Sequence, residues 1–208
     1  HTLKIALAQL NPVVGDLSGN AGLLKQARAE AAASGADVVV ASELFLTGYP
    51  PEDLVLKRSF LTRARRMVDD LVALTADGGP ALIFGAPMID GGQLHNSVVA
   101  ADGGQMAVRH KHHLPNYAVF DEKRLFHAGP LPAPVEMRGV RIGVPICEDI
   151  WFGDVCAHLK AEGAELLVSP NGSPFERGKH EKRCAHARAR AGDCLLYTSP
   201  SPRDFTDS

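Results

Sequence analysis

The stretch "VPICEDIW" sets Cys147 directly before two acids, Glu148 and Asp149, at the point where an apolar run ends. A thiol is a useful nucleophile only as its thiolate, or when a base removes its proton during attack. Two adjacent carboxylates oppose thiolate formation, so any activation must come from elsewhere in the chain. Two other apolar runs also end on a polar side chain: "VVVAS" stops at Glu43 and "MAVRH" at Lys111. A desolvated glutamate can take a thiol proton and return it to a leaving amine. A lysine can offset the acids and hold a developing oxyanion. Cys, Glu and Lys together suit cleavage of a carboxamide through a thioester; they do not suit hydride or phosphoryl transfer. The reading requires all three to converge within hydrogen-bonding reach in one pocket. Taken singly, each has a plainer reading: an inert buried cysteine, a solvated strand-end glutamate, a lysine in a wet basic turn.

The elements that must position them alternate along the chain. "LKIALAQL", "ADVVVASE", "ALIFGAP", "VRIGVPI" and "AELLVSP" read as buried strands, and "LHNSVVAAD" with "QMAVRH" as a hairpin across a Gly-Gly turn. "NAGLLKQARAEAAASG" reads as a helix capped near Asn20 and stopped at Gly35. A second helix spans about residues 59–75, with apolar positions at helical spacing, and others span about 154–162 and 176–191. Residues 112–134 form a long irregular segment. This order predicts an α/β layered sheet, in which chemistry collects at strand ends.

Composition narrows the classes. The 208 residues suffice for one sizeable domain, and 45% apolar with 22% charged residues is ordinary for a soluble protein. A net charge of −2 gives no electrostatic case for a nucleic-acid partner. No apolar run nears the roughly 20 residues that span a bilayer, and no signal peptide is legible, so no membrane partner is expected. Four cysteines without a CxxC pair favour free thiols in a reducing, cytoplasmic setting. Nine histidines include "RHKHHLP", but His110, His112 and His113 stand too close together to converge on one ion, so no metal site is expected. "GSPFERGKH" is rejected as a phosphate loop: five residues, not four, separate its glycines. The start at His1 suggests a fragment or processed product.

"SELFLTGYPPEDL", "RHKHHLPNYAVFDEKRLF" and "GVPICEDIWF" resemble the Glu, Lys and Cys motifs of the nitrilase, or carbon–nitrogen hydrolase, superfamily. More narrowly, "GYPPEDL", "LPNYAVFDEKRLF" and "CEDIW" resemble the glutaminase domains of bacterial glutamine-dependent NAD+ synthetases. The resemblance covers about residues 3–193 and implies an α-β-β-α sandwich, here C-terminally truncated. It implies Glu43 as general base, Lys111 as oxyanion-stabilising lysine and Cys147 as nucleophile. Tyr117, Glu148, Ser173 and Lys179 fall on substrate-binding positions, and Glu122 is a candidate helper. L-glutamine would be the substrate, with no cofactor in this fragment. The family's full-length enzymes are homo-oligomers that use ATP, Mg2+ and deamido-NAD+ in a synthetase domain absent from this chain.

The last residues depart from that pattern. "CLLYTSPSPRDFTDS", residues 194–208, carries a Ser-Pro-Ser-Pro run that breaks helices and central strands, and it reads as a non-native tail or a flexible terminus. Two other readings stand beside the glutaminase: a stand-alone nitrilase-type amidase acting on another small amide, and a non-catalytic interaction module keeping the fold.

Overall fold

The computed structural model describes residues 2–117, 120–173, 177–194 and 197–199. Five strands, β1 (Ile5–Leu7), β2 (Val38–Val40), β3 (Ala81–Asp90), β4 (Gln93–Asp102) and β5 (Gln105–His110), form one sheet in that order. The first three run parallel, and β3, β4 and β5 form an antiparallel meander. A second sheet orders β6 (Val135–Met137), β7 (Val140–Gly143), β8 (Leu166–Val168) and β9 (Tyr197–Ser199).

Strand period explains why "VVV" is apolar throughout. Alternate residues of a strand face opposite sides. Val39, Leu82, Phe84, Val99 and Ala101 turn to one face, where they pack on helices α1 (Leu17–Ala33) and α2 (Arg58–Leu74). Val38, Val40, Ile83, Val98 and Ala100 turn to the other, against Val135, Ile142, Val144 and Val168 of the second sheet. On that sheet's far side, α4 (Gly153–Ala161) packs Val155, Cys156 and Leu159 over Leu167. The result is a layered α-β-β-α sandwich, two sheets where periodicity alone suggested one.

The helices lie close to their expected places, with local corrections. Helix α1 begins at Leu17 with Asp16 as its cap, its Oδ1 accepting from the Gly19 N–H at 2.9 Å. Asn20 is not a cap. It is buried inside the helix and ties Val13 N–H, Val13 C=O and Leu46 C=O to the helix flank. Strand β6 was not expected from the sequence; a tight turn at Arg138 and Gly139, both at positive φ (54° and 77°), folds it onto β7. The final helix α5 spans Lys179–Cys194, while its expected start at Glu176 lies outside the described residues. Strand β9 pairs parallel with β8; the rest of the predicted tail, apart from Cys194, is outside the described residues. No helix among the described residues is long and apolar enough to cross a membrane.

Candidate active site

The three strand ends meet. Glu43 follows β2 and is 1% exposed, Lys111 follows β5 and is 0% exposed, and Cys147 follows β7 and is 3% exposed. Gly85 of β3 lets the Glu43 turn lie against the sheet, because a Cβ there would stand 2.0 Å from the Leu44 nitrogen. Lys111 Nζ donates to Glu43 Oε1 at 2.7 Å and to both Glu122 oxygens, at 2.8 and 3.0 Å. Glu122 opens the short helix α3 (Glu122–Leu125) and is itself buried. One ammonium thus sits between two buried carboxylates.

Asn96 on β4 completes that cluster, its Nδ2 donating to Glu43 Oε1 at 2.8 Å and to Glu122 Oε2 at 3.2 Å. Tyr49 OH donates to Glu122 Oε1 at 2.8 Å. The second Glu43 oxygen accepts the Gly172 N–H at 2.8 Å. That approach requires glycine, since a Cβ on Gly172 would meet Glu43 Oε2 at 2.8 Å and the Tyr49 ring at 3.0 Å.

Cys147 heads a short 3-10 turn, Cys147–Trp151, at φ 45°, a left-handed conformation unusual for a residue with a side chain. Its N–H donates to Pro170 C=O at 2.9 Å, holding the elbow in place. The sulfur's hydrogen-bond partner is Ser173 Oγ at 3.3 Å, one residue beyond the Gly172 that holds Glu43. The sulfur meets Glu43 and Lys111 through their charges, and the direct hydrogen bonds expected from the sequence are made instead between Lys111 and Glu43.

The electrostatics follow. Burial first, then Glu43, pushes the Cys147 thiol up to about 12 from 9.0, against the opposing pull of Lys111 and Ser173. Burial alone would pull Lys111 down, but Glu43, Cys147 and Glu122 outweigh it and the net shift is upward. Burial, then Glu43, raises Glu122, against Lys111 and Tyr49. The resting thiol therefore keeps its proton at neutral pH, and a base must remove it during attack. Iodoacetamide alkylation of Cys147 is accordingly expected to accelerate as pH climbs past 9.0 toward about 12. A rate already level at neutral pH would reveal a preformed thiolate and contradict this.

The expected substrate-binding side chains gather beside the elbow. Tyr117 is 52% exposed and its OH donates to both oxygens of buried Glu148 at 2.9 Å. Ser173 is buried on the sulfur. Lys179, at the start of α5, lies 5.4 Å over the Phe120 ring. Phe120 also contacts Tyr117 edge-on (5.5 Å) and Tyr49 (6.4 Å). Tyr117 and Glu148 line a cavity of about 600 Å³, together with His112, His113 and Phe152.

Four residues outside the expected site set matter here: Asn96, Tyr49, Phe120 and Asp149. Asp149 is fully buried; its Oδ1 accepts from the N–H groups of His112 (3.1 Å) and His113 (2.7 Å), and its Oδ2 accepts from Ile146 (2.9 Å). It thereby clamps the lysine loop to the cysteine elbow. Its place two residues after the cysteine was the one available signal. Of the histidine run, His110 turns away to Ser97 Oγ (2.7 Å) and stacks on His95 (4.2 Å).

A strained cysteine elbow, a buried lysine between carboxylates and four α-β-β-α layers are the marks of a carbon–nitrogen hydrolase. The model of that family matches residues 4–198, and the chain belongs to it. The glutamine-dependent NAD(+) synthetase of Rhodobacter capsulatus is 47% identical over 198 residues, 93% of this chain and 36% of that protein. The structure of glutamine-dependent NAD+ synthetase from Acinetobacter baumannii, in complex with adenosine diphosphate, is similar at TM-score 0.89 and 32% identity, over 96% of this chain and 38% of that one. A mutant amidase of the nitrilase superfamily from Nesterenkonia AN1 shares the fold at TM-score 0.83 and 24% identity, over 96% of this chain and 78% of its own. The chain spans little more than a third of the length of the synthetases it matches.

Proposed function

We propose that this chain is the glutaminase portion of a glutamine-dependent NAD+ synthetase. The observation that carries the reading is the buried Glu43–Lys111–Glu122 cluster beside Cys147, with Tyr117 and Glu148 at the approach. Glu43 takes the thiol proton as sulfur attacks the γ-carboxamide carbon of L-glutamine. Lys111 Nζ and a backbone N–H near Glu148 hold the oxyanion. Glu43 returns the proton to the amide nitrogen as the tetrahedral adduct collapses, so that ammonia leaves and a thioester remains on Cys147. Glu43 then deprotonates a water that cleaves the thioester to glutamate. Glu122 and Asn96 hold Lys111 and Glu43 in register through both steps.

Glu148 and Lys179 offer opposite charges for the ammonium and carboxylate of an amino acid, with Tyr117 and Ser173 as neutral partners. In the longer enzyme the ammonia would pass to a synthetase domain that uses ATP and Mg2+ to activate deamido-NAD+. The test is ammonia release from L-glutamine, L-asparagine and acetamide. Glutamine should lead acetamide by at least about 100-fold in kcat/KM, because acetamide lacks the ammonium and carboxylate that Glu148 and Lys179 would bind. Equal turnover of acetamide would point to a stand-alone amidase. Equal background release by wild type and Cys147→Ala would leave only the interaction module.

A further inference from the structure

The residue that follows Lys111 begins a second constellation, outside the thioester chemistry. His112, His113 and Asp154 each bring a ligand atom, all within 4.8 Å of one another. The His112 Nδ1 lies 2.7 Å from Gly129 C=O, so that nitrogen carries the proton and Nε2 keeps its lone pair. This carbonyl-anchored imidazole is the arrangement that orients histidine ligands of metals. His113 Nε2 sits 2.9 and 3.0 Å from the two Asp154 oxygens, and its ring stacks on Phe152 at 4.1 Å. The backbone N–H groups of both histidines donate to buried Asp149. The two rings stand nearly perpendicular, at 84°. Asp154 has a half-exposed side chain (49%) on the first turn of α4, so its carboxylate can rotate without disturbing the core. Tetrahedral bonds of about 2.0–2.2 Å place ligand atoms about 3.3 Å apart, inside the 4.8 Å that already bounds the three ligand atoms.

We propose that His112, His113 and Asp154 form a site for a divalent transition ion, Zn2+ by donor type, and that its occupation slows the hydrolase. Two imidazoles and one carboxylate suit Zn2+ with an open fourth position, and suit Mg2+ or Ca2+ poorly. The regulatory half rests on the glutaminase reading. His112 and His113 share the cavity wall with Tyr117 and Glu148, so a bound ion and its water stand in the approach to the pocket. The ion would also tie the lysine loop to the helix that follows the cysteine elbow.

Asp154 lies outside the cavity lining and the glutaminase machinery, so Asp154→Asn should keep basal turnover; His113→Gln, on the cavity wall, is read by its Co2+ affinity and by its own rate with and without Zn2+. Asparagine retains an oxygen for the Val155 N–H that Asp154 holds. Co2+ titration reports the donors: nitrogen and oxygen ligands give only visible d–d bands, whereas cysteine adds a thiolate charge-transfer band in the near ultraviolet. Wild type and Cys147→Ala should bind one Co2+ with d–d bands alone, displaced by Zn2+, and the two variants should bind at least about tenfold more weakly. A thiolate band lost in Cys147→Ala, or equal affinity in all four proteins, overturns the site. Zn2+ should inhibit wild-type glutamine hydrolysis reversibly and spare both variants. Binding without inhibition overturns the regulatory half. Absence of glutaminase activity with or without metal counts against the glutaminase reading, while the Co2+ spectra still decide the site.

Discussion

Glu43→Gln is expected to slow glutamine hydrolysis about 10²–10⁴-fold, the range associated with loss of a general base. The geometry makes the loss specific. Glu43 Oε1 accepts from Lys111 and Asn96, and Oε2 accepts from Gly172. A glutamine can keep one oxygen facing Lys111, but its amide nitrogen then meets the Gly172 N–H, donor against donor. The thiol, already pushed up to about 12, loses the carboxylate that would take its proton. A rapid-quench experiment should show no burst of acyl-enzyme. Combining the change with Cys147→Ala should add nothing to the loss from Cys147→Ala alone, because the two groups act in one step. A normal burst in Glu43→Gln, or full additivity in the double variant, would remove Glu43 from the proton transfer and leave it a partner of Lys111 only.

Lys111→Met should cost both activity and stability. The ammonium is fully buried between Glu43 and Glu122, and the thioether side chain fills similar space without a charge. Removing one partner of a buried ion cluster typically costs about 3–5 kcal/mol, since the other charges stay desolvated and unpaired. The penalty should depend on pH in a definite sense. Glu122 is already raised by burial and by Glu43, and loss of Lys111 removes the chief opposing charge, raising it further. A carboxyl raised in the fold contributes stability below its unfolded value and loses it as pH climbs through the folded one. The deficit of Lys111→Met against wild type should therefore shrink as pH falls from neutral to about 5. Urea unfolding at both values measures it. A deficit that stays constant or grows on acidification would mean that the two carboxylates do not depend on this lysine.

The chain's local chemistry was written in its order of residues. The alternation in "ADVVVASE" and "ALIFGAP" fixes which side chains face each layer, because a strand's period is two wherever it is placed. The punctuating residues then mark where each strand stops, and Glu43, Lys111 and Cys147 stand at three of those stops. Their spacing in "SELFLTGYPPEDL", "RHKHHLPNYAVF" and "GVPICEDIW" was enough to name the family. Asn20 shows the limit of that reading: a residue with good capping chemistry lies within the helix because loop carbonyls 7 and 26 residues away claim its amide.

Tertiary packing alone decided which side chains touch. Asn96 lies in no motif, and Tyr49 and Phe120 lie in motifs that gave them no role, yet the approach of β4, the loop after β2 and the start of α3 makes them the partners of both carboxylates and of Lys179. Asp154 likewise reaches His113 across 41 positions of sequence. The physical reason is common to all four. Hydrophobic periodicity is local and can be counted along the chain, whereas hydrogen bonds among buried polar groups depend on distances set only when two sheets close on one another. The three residues proposed to react could therefore be named beforehand, but not that Ser173 would be the sulfur's hydrogen-bond partner while Lys111 was held by two acids.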